Sequence, residues 1–468
     1  MSEDRKKGKD VKHAGLQRSE GVYNADGQFS NRDLGAIIIP LFLEQFLVML
    51  VGLADTLIVS YAGESAVSGV SLVNQFNTIF IFLFTALASG GAVVISQYTG
   101  RGERDNAGKA ASQLLLFSTA FSTGITLLTL AGNETILRAL FGSVDADVIE
   151  ACVIYLRISA YSFPALAVYN AGAAVFRSIG RTDITMVLSL FSNLINVAGN
   201  LLGVFVLHAG VAGVAWPSLI ARMFSAVAVT VLCFKKSWAV SYDADWLFRA
   251  DRVMLKKILR IAIPNGAENG VFQLVKVALS GIVALFGTSQ IAANGVAQSI
   301  WSLAALAGVA MGPAFITVIG QCMGRGDTEA AAYYLRKLSL VTLTVSAVWN
   351  LLILLITPLF LRVYALEAET KQLVFWLVLI HNAFNAAAFP FSGALSAGLR
   401  AAGDVRYTMA VSLASTIAGR LLLSWVLGVA LGMGVIGIAL AMVIDWSARA
   451  VLFILRARSG KWKEFDVI

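Results

Sequence analysis

The chain has 468 residues, of which 58% are hydrophobic and only 14% charged, with a mean hydropathy of +0.76. A soluble domain carries about a quarter charged residues, so a soluble enzyme or scaffold of this length is excluded and a polytopic membrane protein is indicated. The formal charge of +8 does not imply a nucleic-acid partner, because Lys and Arg fall in short segments between apolar spans, as positive-inside topology requires.

The first 33 residues are polar and basic (Arg5, Lys6, Lys7, Lys9, Lys12, Arg18, Arg32) and lack the apolar core of a cleaved signal. They are expected to form a cytoplasmic tail. Apolar stretches of about 20 residues cross a ~30 Å hydrocarbon core. They are predicted at 35–60, 66–97, 110–131, 148–175, 184–207 and 211–234, then at 258–285, 290–322, 338–361, 372–398, 407–430 and 434–456. The expected fold is therefore all-α, with twelve transmembrane helices. It divides into a lobe at 34–234, a cytoplasmic connector at 235–257, a second lobe at 258–457 and a cytoplasmic tail at 458–468.

Pro40, Glu44, Gly63, Gln97, Gly100, Arg101 and Gly102 recur 224 positions later as Pro264, Glu268, Gly287, Gln321, Gly324, Arg325 and Gly326. Arg177, Gly180, Thr185 and Met186 recur 223 positions later as Arg400, Gly403, Thr408 and Met409. Six spans per half return the chain to its starting side, so the halves are parallel repeats, a secondary-transporter design with its site near the midplane. Arg101, Arg104, Lys109, Arg177, Arg181, Arg325, Arg336, Lys337, Arg400 and Arg406 are assigned to inner loops. The outer loops hold Arg138, Arg362 and Lys371, which puts both termini inside.

Intramembrane charges are costly and mark function. Glu44 and Asp55 are eleven residues apart in span 1, about three turns at 100° per residue, so they share a face roughly 16 Å apart. The repeat position of Asp55 is Leu279, so one lobe alone carries this acid. Span 5 adds a stripe of Asn193, Asn196 and Asn200, whose counterparts at the 223 offset are Thr416, Gly419 and Leu423. A carboxylate with amide oxygens suits Na⁺, the same carboxylate alone suits H⁺, and an ion-free interhelical clamp is the third reading.

Glu44 and Glu268 are repeat mates that would attract a cationic substrate to a cavity. Gln273, Lys276 and His381 complete the candidate substrate cavity, with Lys276 near enough to Glu268 for a loose pairing. Arg420 and Asp445 are expected to form a structural ion pair between spans 11 and 12, and Arg222 and Arg449 are further charged residues within spans. Pro40 is a candidate hinge. Cys152, Cys233 and Cys322 suggest neither a disulfide framework nor a metal cluster, and His13, His208 and His381 are too scattered for an enzymatic centre.

The span 1 run from Pro40 through Leu53–Thr56, the Gln97–Gly102 turn with its echo at Gln321–Gly326, and the stretches 177–183 and 399–404 resemble the MATE (multidrug and toxic compound extrusion) family over residues 34–457. The resemblance implies a plasma-membrane antiporter, not an enzyme. It would export amphipathic, often cationic, organic molecules in exchange for Na⁺ or H⁺, without cofactor or nucleic-acid partner, and act as a monomer. It further implies that Asp55 binds the coupling ion with Asn196 and Asn200. Some members carry a carboxylate at the Asn200 position, and sodium-coupled members carry a span 7 acid about one turn after Glu268. A flippase for lipid-linked sugars, or an exporter of another anionic metabolite, is the alternative in the same superfamily.

Overall fold

The computed structural model describes residues 29–141, 145–364 and 366–468. Most of the basic N-terminal tail lies outside them. Helix α1, Asn31–Ser60, starts earlier than expected because Ser30 caps it. The Ser30 hydroxyl accepts from Asp33 N, and the Asp33 carboxylate accepts from Ser30 N, a reciprocal cap that satisfies first-turn donors.

Ten helices are long and apolar enough to cross a membrane, and Ala146–Tyr161 with Phe163–Ser178, bent by 43°, makes an eleventh span. The twelfth is Arg252–Ala284, 33 residues long, whose apolar run is interrupted by Glu268 and Lys276. The architecture is all-α, with no strand among the described residues. The expected continuous span 148–175 is instead broken at Ser162. Pro164, at the start of the second segment, lacks the N–H that a continuing helix would need. Span 7 begins at Arg252 rather than 258, so part of the predicted connector is helical.

The chain divides into two units at Ile263 and Pro264, within the Arg252–Ala284 helix rather than in the 235–257 segment. The core of the first unit contains Val73, Leu137, Cys152, Leu156 and Val214. That of the second contains Ala293, Ala297, Val374, Leu377 and Val435. Large side chains such as Leu128 (73% exposed) and Leu355 (68%) point outward, the distribution of a bundle solvated by lipid, where interiors favour small residues.

Many repeated residues serve the turns. Gly102 and Gly326 adopt φ values of 80° and 77°, a region that a Cβ disfavours. Glu103 N donates to Tyr98 O at 3.0 Å, and Asp327 N donates to Cys322 O at 3.1 Å. These bonds close the same helix-ending turn 224 residues apart.

Pro40 lies inside α1, which runs through it unbroken. Its missing N–H leaves the Ala36 carbonyl without a helical donor. The Thr182 hydroxyl reaches this region, 2.8 Å from Ile37 O and 3.3 Å from Ala36 O. The expected hinge is therefore tied to the start of Thr182–Leu201.

The segment after Cys233 is tied to the first unit. Gln113 Nε2 donates to the carbonyls of Trp246 (2.7 Å) and Arg249 (2.6 Å), while its Oε1 accepts from Asp251 N (2.7 Å). Ser112 Oγ accepts from Asp243 N at 2.8 Å. Lys109 pairs with Asp251 and stands 3.8 Å over the Trp246 ring.

Candidate functional site

Helix Thr182–Leu201 presents Asn196 and Asn200, both buried, to Asp55 of α1. Asn200 Nδ2 donates to Asp55 Oδ1 at 2.7 Å. With the Asn196 amide oriented so that its oxygen accepts from Ser218 Oγ at 2.8 Å, its nitrogen lies 2.9 Å from Asp55 Oδ1 and 3.1 Å from Oδ2. Two amide N–H groups thus converge on one half-buried carboxylate. Asp55, Asn193, Asn196, Ser218, Arg222 and Tyr169 line a cavity of about 300 Å³ within the first unit. Arg222 is anchored by donating from Nη1 to Ser162 Oγ at 2.7 Å, at the break between the two short helices. Ser218 and Tyr169 were not singled out in the sequence, since isolated hydroxyls in apolar spans carry no distinguishing pattern.

In this orientation the site presents the Asp55 carboxylate with amide donors rather than amide oxygens around it. A hard cation needs oxygen ligands, whereas the Asn200 amide and, in the orientation above, the Asn196 amide turn nitrogen toward Asp55. Among the described residues, no group of three or more His, Cys, Asp or Glu side chains is placed to hold a metal.

Glu44 does not stand free in a cavity. It is 3% exposed and accepts from Arg177 Nη2 at 2.7 Å and from Thr185 Oγ1 at 2.9 Å, with the Tyr169 hydroxyl at 3.4 Å. Glu268 accepts from Arg400 Nη1 at 3.0 Å, and Arg400 Nη2 donates to Ser396 Oγ at 3.1 Å. Arg177 and Arg400, assigned above to inner loops, are repeat mates that neutralise repeat-mate acids. A buried carboxylate is tolerated only when so paired. The expected cation lure is therefore an ion pair in each unit, and Glu268 pairs with Arg400 rather than Lys276.

Lys276 instead lines a cavity of about 100 Å³ in the second unit, together with Phe272, Gln298, Trp301 and Arg420. Gln273 is half-buried and His381 is 2% exposed. Neither contributes to the lining of either cavity. His381 Nδ1 has no hydrogen-bond partner among the described residues, and its ring lies 6.3 Å from that of Trp446. Arg420 Nε lies 3.3 Å from Asp445 Oδ2, while Arg449 Nη2 reaches the same oxygen at 2.6 Å.

The structure also corrects the repeat register in span 11. Buried Thr185 and Ser189 match buried Thr408 and Ser412 at an offset of 223. Farther on, buried Asn196 and Asn200 match buried Arg420 and Ser424 at 224. The residue gained is absorbed by the π-helical stretch Ser415–Leu422, since a π-bulge widens one turn of an α-helix. The counterparts of Asn196 and Asn200 are thus Arg420 and Ser424, not Gly419 and Leu423.

Twelve spans among the described residues, in two repeated units with a polar cavity inside the first, define a multi-pass membrane transporter. The MatE family model matches residues 40–202 and again 264–426, two matches separated by the 224-residue period of the sequence. The chain belongs to the MatE family. It is 26% identical over 446 residues to the uncharacterized transporter YisQ of Bacillus subtilis, covering 94% of this chain and 96% of that protein. It is 24% identical over 454 residues to a probable multidrug resistance protein NorM of Thermotoga maritima, covering 93% and 94%. Among solved structures, a MATE protein in a bent conformation superposes with a TM-score of 0.83 at 20% identity, covering 95% of this chain and 97% of the other.

Proposed function

We propose that this protein is a cation-coupled antiporter of the cell membrane, with both termini cytoplasmic, which exports amphipathic or cationic organic compounds by alternating access. The observation that carries the reading is Asp55, an acid of one unit only, bonded by Asn200 at 2.7 Å and lining a cavity among membrane-spanning helices. Such an acid is expensive as packing material. Its ability to bind and release a cation supplies the differential affinity that an exchange cycle needs. The coupling ion is Na⁺ or H⁺. The names of relatives such as NorM support organic compounds as cargo.

Asp55 holds the ion while the cavity opens outward. Substrate loading from the inside displaces it, and rebinding from the outside expels the cargo. The test reconstitutes the protein in liposomes and imposes a pH gradient or a Na⁺ gradient separately, with uptake of ethidium as the readout. Wild type should respond to one gradient. Asp55→Asn should abolish that response while remaining folded and inserted. Ethidium uptake driven by neither gradient, or undiminished in D55N, would overturn the assignment.

A further inference from the structure

The cavities of the two units are built on equivalent positions of the repeat. Val48, Gly52, Asp55, Asn196 and Ser218 line the first, and their counterparts at the 224 offset, Phe272, Lys276, Leu279, Arg420 and Met442, line the second. These lining positions are repeated while the charge is inverted. Asp55 becomes an apolar leucine, while a glycine and an amide become cations. Among the described residues that line the second cavity there is no acid.

Arg420 is not fully satisfied by its neighbours. It is 4% exposed; its Nη2 is buried without a hydrogen-bond partner among the described residues, and its Nε faces Asp445 Oδ2 at 3.3 Å in an ion pair without a hydrogen bond. The nearby Asp445 is already engaged on both oxygens, accepting from Arg449 Nη2 at 2.6 Å and from Ser415 Oγ at 2.6 Å. One carboxylate thus faces two guanidinium groups and leaves a positive charge over, before Lys276 is counted. Trp301, also on the cavity wall, has a buried indole N–H with no acceptor. Buried donors left unpaired, as on Arg420 and Trp301, are costly; Lys276 adds an exposed ammonium on the cavity wall, and all three side chains can only donate. The ligand that satisfies them is acceptor-only and negatively charged. The Phe272 ring, 4.8 Å from the Arg420 guanidinium carbon, adds an apolar wall.

We infer that the second-unit cavity binds a small monoanion, a carboxylate or a halide, through Arg420, Lys276 and the Trp301 N–H. The site is lined by residues of the second unit alone, so it does not depend on the antiport reading.

The full-length protein in phosphatidylcholine nanodiscs would be titrated calorimetrically with sodium benzoate and with benzamide, its neutral isostere. Saturable benzoate binding with little benzamide binding is expected. Lys276→Gln should weaken benzoate about tenfold, the scale of one charge-assisted hydrogen bond. Arg420→Gln should weaken it further. The Lys276 variant keeps the test valid if the Arg420 variant fails to fold, since Lys276 is exposed. Competition by chloride assigns the site to halides, and indifference to chloride assigns it to carboxylates. Asp55→Asn should leave benzoate affinity unchanged even where it stops transport. Equal binding of benzoate and benzamide, wild-type affinity in K276Q, or loss of benzoate binding in D55N would each overturn the inference.

Discussion

Arg177 Nη2 donates to Glu44 Oε1 at 2.7 Å, joining the end of the Phe163–Ser178 helix to the middle of α1. The same joint recurs in the second unit between Arg400 and Glu268, at 3.0 Å. A pair repeated in both units while Asp55 is not repeated belongs to the scaffold common to the units, and under the function proposed above the asymmetric acid carries the chemistry. The distinction has direct consequences for mutagenesis.

Glu44→Gln should lower stability by ~2–4 kcal/mol, because it leaves the half-buried Arg177 guanidinium without the Glu44 counter-charge. Thermal unfolding in detergent checks this. The double variant Glu44→Gln with Arg177→Gln should lose less than the two single losses combined. An E44Q protein of wild-type stability that had lost organic-cation transport would return Glu44 to the substrate path.

What the sequence reveals and conceals follows from the same residues. The spans are legible because hydrophobic length is a bulk property, and the isolation of Asp55 is legible because Leu279 stands opposite it in the repeat. The pairing of Arg177 and Arg400 with Glu44 and Glu268 is not legible because their charge and position near span ends satisfy positive-inside counting whether or not they turn inward. The true partner of Asn196 was missed because a π turn in Ser415–Leu422 inserts one residue without altering composition or hydropathy. The one-residue shift makes Arg420, expected from the sequence only as the partner of Asp445, the repeat counterpart of Asn196.

Thr182 offers a test of how a proline is accommodated in α1. Its hydroxyl lies 2.8 Å from Ile37 O and 3.3 Å from Ala36 O, the carbonyl that Pro40 deprives of a donor. Thr182→Val should cost ~1–3 kcal/mol, the penalty of a buried unsatisfied acceptor. In a Pro40→Ala background the restored N–H serves Ala36 O, and the same substitution should cost measurably less. Equal penalties in the two backgrounds would show that Thr182 does not compensate for the proline.

Asp251 makes the attachment of the segment 243–251 pH-dependent. Its hydrogen bond with Lys109 is the main cause that holds its carboxyl below the ordinary range, with the N–H groups of Met254 and Val253 contributing. A depressed folded-state value means that the attachment is fully stabilised above the ordinary carboxylate range. The contribution fades as pH falls through the folded value. Hydrogen exchange at residues 243–251 should therefore be slow at neutral pH and rise below about pH 4 after correction for the intrinsic rate. Lys109→Met should raise exchange already at neutral pH and flatten its pH dependence, with Gln113 retaining part of the protection through its three bonds to the segment. Protection unchanged down to pH 2 in the wild type would mean that Gln113 and Ser112 hold the segment without the ion pair.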